Sequence, residues 1–267
     1  MAKTLRSRWH SFKRVIRISG VTRALLVALQ RTVNVLPEQL LFFDVYQLMA
    51  CRLRQSPGLI DRLPAGLQIH IAGGPEDTCN AHTSSTVERL YRRAPQALRR
   101  LNRGDMAVVA EYKGELAGCV WVAFKRYREE ETEGVKAEFI LEEPGSVCWD
   151  YNSFVANRYR LTPAYAAMWD ATLHELHGRG FRWSLSSISV FNPYSLHVNS
   201  RMALLRVGKL LFVNFVGLRF VFDLANRSAA WSGPRGVFDV AITTSALREA
   251  GGAVPITLTV RKVPREH

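Results

Sequence analysis

Two apolar runs, SVCWDYNSFV (Ser146–Val155) and RWSLSSISV (Arg182–Val190), flank a helical stretch that opens at Thr162-Pro163 and closes at His177 before Gly178 and Gly180. A strand, a helix and a second strand at this spacing form a crossover that lays the two strands parallel in one sheet. The segments ahead of it are of another kind. MAVVAEY (Met106–Tyr112), Lys113-Gly114 and ELAGCVWVAF (Glu115–Phe124) read as an antiparallel hairpin. LQIHIA (Leu67–Ala72) alternates as a strand and stops at Gly73-Gly74-Pro75. Ser85-Thr86-Val87-Glu88 is a capping box for a helix toward Arg100, split near Pro95. After the crossover, Asn192-Pro193 turns into a helix from about Ser195 to Leu205, and Lys209–Leu224 supplies one or two strands. The expected fold class is α/β, with a mixed, mostly antiparallel central sheet and flanking helices.

The junction inside the crossover carries the chemistry. FVANRYRLTPAYAAMWD passes from strand to helix through Arg158, Arg160 and Thr162-Pro163. Thr162 suits an N-cap and Pro163 the first helical position, where its missing N–H costs least. A helix start offers unpaired N–H groups and the positive end of the dipole. With arginines beside it, such a start is an anion site suited to phosphate. The same residues also read as solvated loop arginines before an ordinary helix.

The run from Gly114 to Phe220 resembles the GNAT acetyltransferase superfamily, and the likeness extends over roughly residues 67 to 222. FVANRYRLTPAYAAMWDATLHELHGRGF is similar to the family's strand, its Arg-x-x-Gly-x-Gly/Ala loop and the helix after it. SISVFNPYSLHVNSRMALLRVG is similar to its next strand and helix, with Asn192 as the family's Asn and Met202-Ala203-Leu204 as its Leu-Gly-Phe. The resemblance implies an acyltransferase with acetyl-CoA as co-substrate and an amine as acceptor. It implies that the backbone of Phe154, Val155 and Ala156 pairs with the pantetheine arm like an added strand. It assigns the pyrophosphate to the loop of Arg160, Leu161, Thr162, Pro163, Ala164 and Tyr165, and puts Asn192 near the thioester. Four positions depart from the pattern. Pro163 stands for a Gly and lacks a donor, Tyr165 replaces a small residue, Ala203 replaces a Gly, and Asn199 falls where a proton-donating Tyr is usual.

Transfer to an amine needs a base for the nucleophile and an acid for the leaving thiolate. Asp150 and Tyr194 are the candidate pair. Glu115 reads as a turn residue and His197 as a helix-surface histidine. Cys51, Cys79, Cys119 and Cys148 form no C-x-x-C, so no metal site is expected and the thiols fit a reducing compartment.

The net charge of +13 is uneven, because 8 of the excess cations fall in the first 32 residues, which hold no Asp or Glu. Residues 1–33 therefore read as a basic amphipathic arm, 34–224 as the acyltransferase domain and 225–267 as an extension, irregular except for Pro255–Val263. The segment Leu36–Leu53 has no clean period, and Glu129–Glu133 reads as a solvated loop. The arm reads as a helix packed on the domain or a solvated tail, as an interfacial helix that would make a cytoplasmic protein peripheral at the inner face of an anionic membrane, or as an Arg-rich, acid-poor segment like a mitochondrial presequence. No run reaches the roughly 20 apolar residues of a bilayer span. The acceptor expected is a small molecule, such as an amino sugar or a saccharide precursor. Two other readings remain open: a module that binds the thioester without turnover, and a membrane- or nucleic-acid-binding protein built on the arm. Nucleic acid is disfavoured, because the aromatic residues are not interleaved with the basic ones.

Overall fold

The computed structural model describes residues 15–17, 20–53, 63, 65–74, 97–129, 135–142, 145–160, 162–201, 204–234, 236–243 and 256–262. The capping box at Ser85–Glu88, Pro95, Cys79, Leu161, Met202 and Ala203 lie outside them. In chain order the elements begin with helix α1 (Val21–Val33) and strands β1 (Leu41–Arg52) and β2 (Leu67–Gly73). Helix α2 (Ala97–Asn102) leads to β3 (Met106–Tyr112), β4 (Glu115–Ala123), β5 (Arg126–Arg128), β6 (Ala137–Leu141) and β7 (Val147–Val155). Helix α3 (Ala164–Gly178), β8 (Trp183–Ser189) and helix α4 (Pro193–Arg201) follow. The chain ends through β9 (Leu205–Phe215), β10 (Leu218–Asp223), β11 (Ser228–Ser232), β12 (Phe238–Thr243) and β13 (Thr257–Lys262). Two compact units emerge: one of Arg52–Tyr127 with Glu143–Ser186, the other of Met1–Cys51, Arg128–Glu142 and Ser187–His267.

In the first unit β2, β3, β4 and β7 pair antiparallel in that order, and β7 pairs parallel with β8. The hairpin and the crossover expected from the sequence are both present. Helix α3 forms because Ala164, Ala167, Met168 and Ala171 recur at helical spacing and all bury against the sheet. It stops where Gly180 adopts φ +86°. There the Phe181 amide reaches back to the Leu176 carbonyl and the Gly180 amide to that of His177. This paired closure satisfies two orphan carbonyls, and Phe181 and Leu176 pack in one apolar cluster. The start of α3 differs by one residue from expectation. Pro163, not Thr162, occupies the cap position, and the Thr162 hydroxyl donates back to the Tyr159 carbonyl at 2.7 Å.

In the second unit β1, β9, β10 and β11 pair antiparallel in that order. β1 is the segment whose period is ambiguous in sequence. Its alternation is masked because the run Tyr46–Ala50 is buried on both faces. One face of this sheet, with Tyr46, Leu210, Phe212 and Val221, is buried. A Cβ on Gly208 of that face would meet Leu48 and Leu258 at 3.3 Å, so β13 approaches closely there. The opposite face carries the register row Phe43, Val213, Phe220 and Trp231, then the row Leu41, Phe215 and Leu218. These residues are half-buried or exposed. β12 pairs antiparallel with β13 and parallel with β6. The tail is thus less irregular than its sequence suggests, since β11 and β12 precede β13. Glu129 is buried where the sequence predicts a solvated loop, and 130–133 of that run lie outside the described residues.

Candidate functional site

The strand β7 is where the site is built. Its parallel ladder with β8 ends at Trp149 opposite Leu185, while β7 itself runs on to Val155. Its antiparallel ladder with β4 shifts register between Cys119 and Trp121, and Asn152 sits at φ +45°. One extra residue on β7 therefore makes a bulge, which bends the strand and re-aims its side chains. Past the bulge, Gly118 pairs with Val155 and Cys119 with Phe154, and the Ala156 amide donates to the Ala117 carbonyl at 2.8 Å. The edge facing β4 is thus used. Gly118 permits this approach, since a Cβ there would lie 2.6 Å from the Phe154 carbonyl oxygen and 2.8 Å from Met168 Cε. Phe154 is exposed, and Val155 and Ala156 are half-buried.

A 3-10 turn over Asn157–Tyr159 carries the chain to α3. The two arginines of the junction have different partners. Arg158 is ion-paired with Glu115, and its guanidinium lies 4.8 Å from the Tyr159 ring centroid. The Tyr159 hydroxyl donates to the same Glu115 carboxylate at 2.8 Å. Glu115, which reads as a turn residue in sequence, is the anchor of this loop. Arg160 is exposed and touches the Val155 carbonyl through Nε at 3.4 Å. At the α3 start Thr162 and Pro163 are exposed, Ala164 is buried and Tyr165 half-buried. The Ala164 amide donates to Thr162 Oγ1 at 3.3 Å. Pro163 contributes no N–H. The first-turn amides of Tyr165 and Ala166 have no intrahelical acceptor and point out of the helix end.

Asp150 and Tyr151 point to opposite faces of β7. Asp150 is buried and accepts a 2.7 Å hydrogen bond from the Ser184 hydroxyl. Burial pushes its carboxyl up to about 7, against the lowering effect of Ser184. Burial also raises the Tyr165 phenol, with the Asp150 charge adding to the shift. Tyr151 donates to Asp105 at 2.7 Å, and Arg103 pairs with the same carboxylate at 2.9 Å. Arg100, buried on α2, lies about 5 Å from both the Trp121 and the Tyr151 rings. Cys119 is buried, and desolvation pushes its thiol up to about 12, so it is a packed thiol and not a nucleophile. This cation–aromatic cluster has no sequence signature, because its members come from α2, the turn after it, β4 and β7.

Asn192 and Tyr194 belong to the other unit. Asn192 caps α4, its Oδ1 accepting the Ser195 amide at 3.1 Å, and Tyr194 is exposed on that helix. Asn199 is buried and donates to the Ser195 carbonyl of its own helix at 2.8 Å. Nearby Asp44 accepts the Ser189 hydroxyl at 2.7 Å, and burial pushes it up to about 6. Among the described residues no group of three His, Cys, Asp or Glu could hold a metal ion.

No family model matches the chain, and no curated protein matches it. Solved structures do. A GCN5-related N-acetyltransferase from Kribbella flavida is similar with a TM-score of 0.35 and 10% identity, over 64% of this chain and 54% of that one. A putative GNAT-family acetyltransferase from Novosphingobium aromaticivorans is similar with a TM-score of 0.40 and 8% identity, over 63% of this chain and 62% of that one. An aminoglycoside N-acetyltransferase solved in complex with CoA is similar with a TM-score of 0.35 and 18% identity, over 53% of this chain and 90% of that one. The chain spans about half the length of the first of these. The topology is a mixed sheet: β2, β3, β4 and β7 run antiparallel, and α3 then crosses to a parallel β8.

Proposed function

We propose that the protein transfers an acyl group from coenzyme A to an amine. The observation that carries this reading is the course of β7. Its ladder with β8 stops at Trp149, a bulge at Asn152 turns the strand, and the free run ends at exposed Arg160 and the α3 start. An extended pantetheine fits beside such an edge, and a pyrophosphate fits Arg160 with the amides of Tyr165 and Ala166. Two features weaken that anion site: Pro163 lacks a donor, and Glu115 neutralises Arg158.

In the reaction the amine nitrogen attacks the thioester carbonyl, its proton passes to a base, the C–S bond breaks and the thiolate takes a proton. Asp150 has the pKa of a base working near neutrality. The acceptor proposed is an amine on a small molecule, such as an amino sugar or a saccharide precursor.

Titration of CoA, acetyl-CoA and longer acyl-CoA against the protein, read by thermal shift and calorimetry, tests the reading. Arg160→Glu should weaken binding by about 10- to 100-fold, the range for one charge-assisted hydrogen bond. No acyl-CoA binding by the wild-type chain, or unchanged affinity in Arg160→Glu, defeats it. A thioester-binding module without turnover is the second reading, favoured by Asn199, which replaces a proton donor with an amide held on its own helix. Release of free thiol with a panel of amines separates the two.

A further inference from the structure

Helix α1 is turned the wrong way round for a helix in water. It packs inward through small residues, Ala24 and Val27, which cluster with Val15 and touch Phe191. At 100° per residue the opposite face carries Val21, Leu25, Leu26 and Leu29, each at least half exposed. The residues that share this outer face, Thr22, Thr32 and Val33, are uncharged. A solvated helix puts its polar residues there instead.

The apolar surface continues beyond the helix. Val35 is 83% exposed, and the turn after it is tied to the β9–β10 hairpin. The Val216 amide donates to the Leu40 carbonyl at 3.0 Å and the Gly217 amide to that of Gln39 at 2.6 Å. Val216, at the hairpin tip, is 66% exposed and sits at φ +48°. A β-branched residue in that conformation at an exposed turn has no local conformational reason to be there. Phe191 also meets Phe43 edge-on, ring centroids 5.6 Å apart, so α1 lies on the same side as the apolar face of β1, β9, β10 and β11. Trp231, 63% exposed, ends a row on that face.

The segments that carry this surface are basic in sequence. Between residues 15 and 51 and between 205 and 232 the only acids are Glu38, Asp44 and Asp223. Asp44 and Asp223 are buried, and Glu38 faces Arg219 at 3.9 Å. Arg17, ahead of α1, and Arg31, on α1, are exposed, and in sequence residues 1–14 add five further cations and no acid. We infer that α1, the turn at Val35–Leu40 and the β9–β10 hairpin tip form one surface that docks on an anionic lipid bilayer. The apolar residues enter the acyl boundary while the cations meet lipid phosphates. The occupant is set by the pairing of exposed apolar groups with unbalanced positive charge, which a second copy of this chain would meet with like charge. The inference is independent of the acyltransferase reading.

The test is co-sedimentation of the full-length chain with phosphatidylcholine vesicles, with and without phosphatidylserine, at low and physiological salt. Leu25→Asp and Val216→Asp are the variants, both at exposed positions. Melting and circular dichroism verify their folding, and sedimentation velocity gives their oligomeric state. Binding to the anionic vesicles alone, weakened by salt and reduced at least about tenfold by either variant, is the expected result. Four outcomes overturn it: no binding, equal binding to neutral vesicles, binding unchanged in both variants, or a lipid-indifferent dimer that the variants dissociate. Binding unchanged in both variants would assign adhesion to the basic arm alone.

Discussion

Asp150 keeps its proton at pH values where an exposed aspartate has lost it, because burial of its carboxyl outweighs the hydrogen bonds it accepts from Ser184 and its own backbone amide. Between the ordinary value of 3.8 and about 7 the folded chain therefore binds more protons than the unfolded chain. Stability falls as pH rises through that window, and the penalty is absent below it and complete above it. Each unit of displacement is worth about 1.4 kcal/mol. Asp150→Asn removes the titration, so the variant should gain stability relative to wild type from pH 4 to 7. Paired urea melts across that range measure the difference. The comparison also isolates Asp150 from Asp44, which titrates in both proteins. If Asp150 is the base, the same substitution lowers kcat by about 100-fold or more, within the usual range for proton transfer. Gly118 is a second residue-scale test. Gly118→Ala puts a methyl against the Phe154 carbonyl and Met168, so it should cost about 1–3 kcal/mol in urea denaturation.

At the scale of elements, the loop from β7 to α3 is held by a side chain from β4. Glu115 takes both Arg158 and the Tyr159 hydroxyl, whereas Arg160 stays exposed and reaches the Val155 carbonyl through Nε at 3.4 Å. Glu115→Gln keeps the shape and removes the negative charge. Acyl-CoA affinity measured by calorimetry should then rise severalfold, because Arg158 regains its attraction for phosphate. A fall in affinity would mean that the Glu115 charge positions the loop. The sequence holds the helix and its stop at Gly180, since both follow from local chain chemistry. It does not hold the partnership of Glu115 with Arg158, which lies 43 residues along the chain. That contact exists because the β4–β7 ladder brings the two together.

For the whole molecule, β1 is the element on which the second unit turns. It pairs with β9 from Leu41 opposite Phe215 to Ala50 opposite Leu205. A chain beginning at Arg52 leaves the apolar edge of β9 bare, and such edges recruit other chains. That truncation should aggregate, as read by size exclusion and dye binding, whereas the full chain stays dispersed. Among the described residues no helix is long and apolar enough to cross a membrane.

What the sequence determined by itself is the β3–β4 hairpin and the crossover from β7 through α3 to β8, with β2 ahead and α4 and the β9–β10 segment behind, but not β5 and β6, because alternation, helical spacing and glycine stops are short-range and each needs only a few neighbouring residues. What tertiary structure decided is which groups meet. It assigned β1 to a sheet that its own pattern does not disclose, spent Arg158 on Glu115, raised Asp150 by burial and set Trp121, Tyr151 and Arg100 in one cluster. Those outcomes depend on desolvation and on contacts between distant segments, and neither is encoded in any local run of residues.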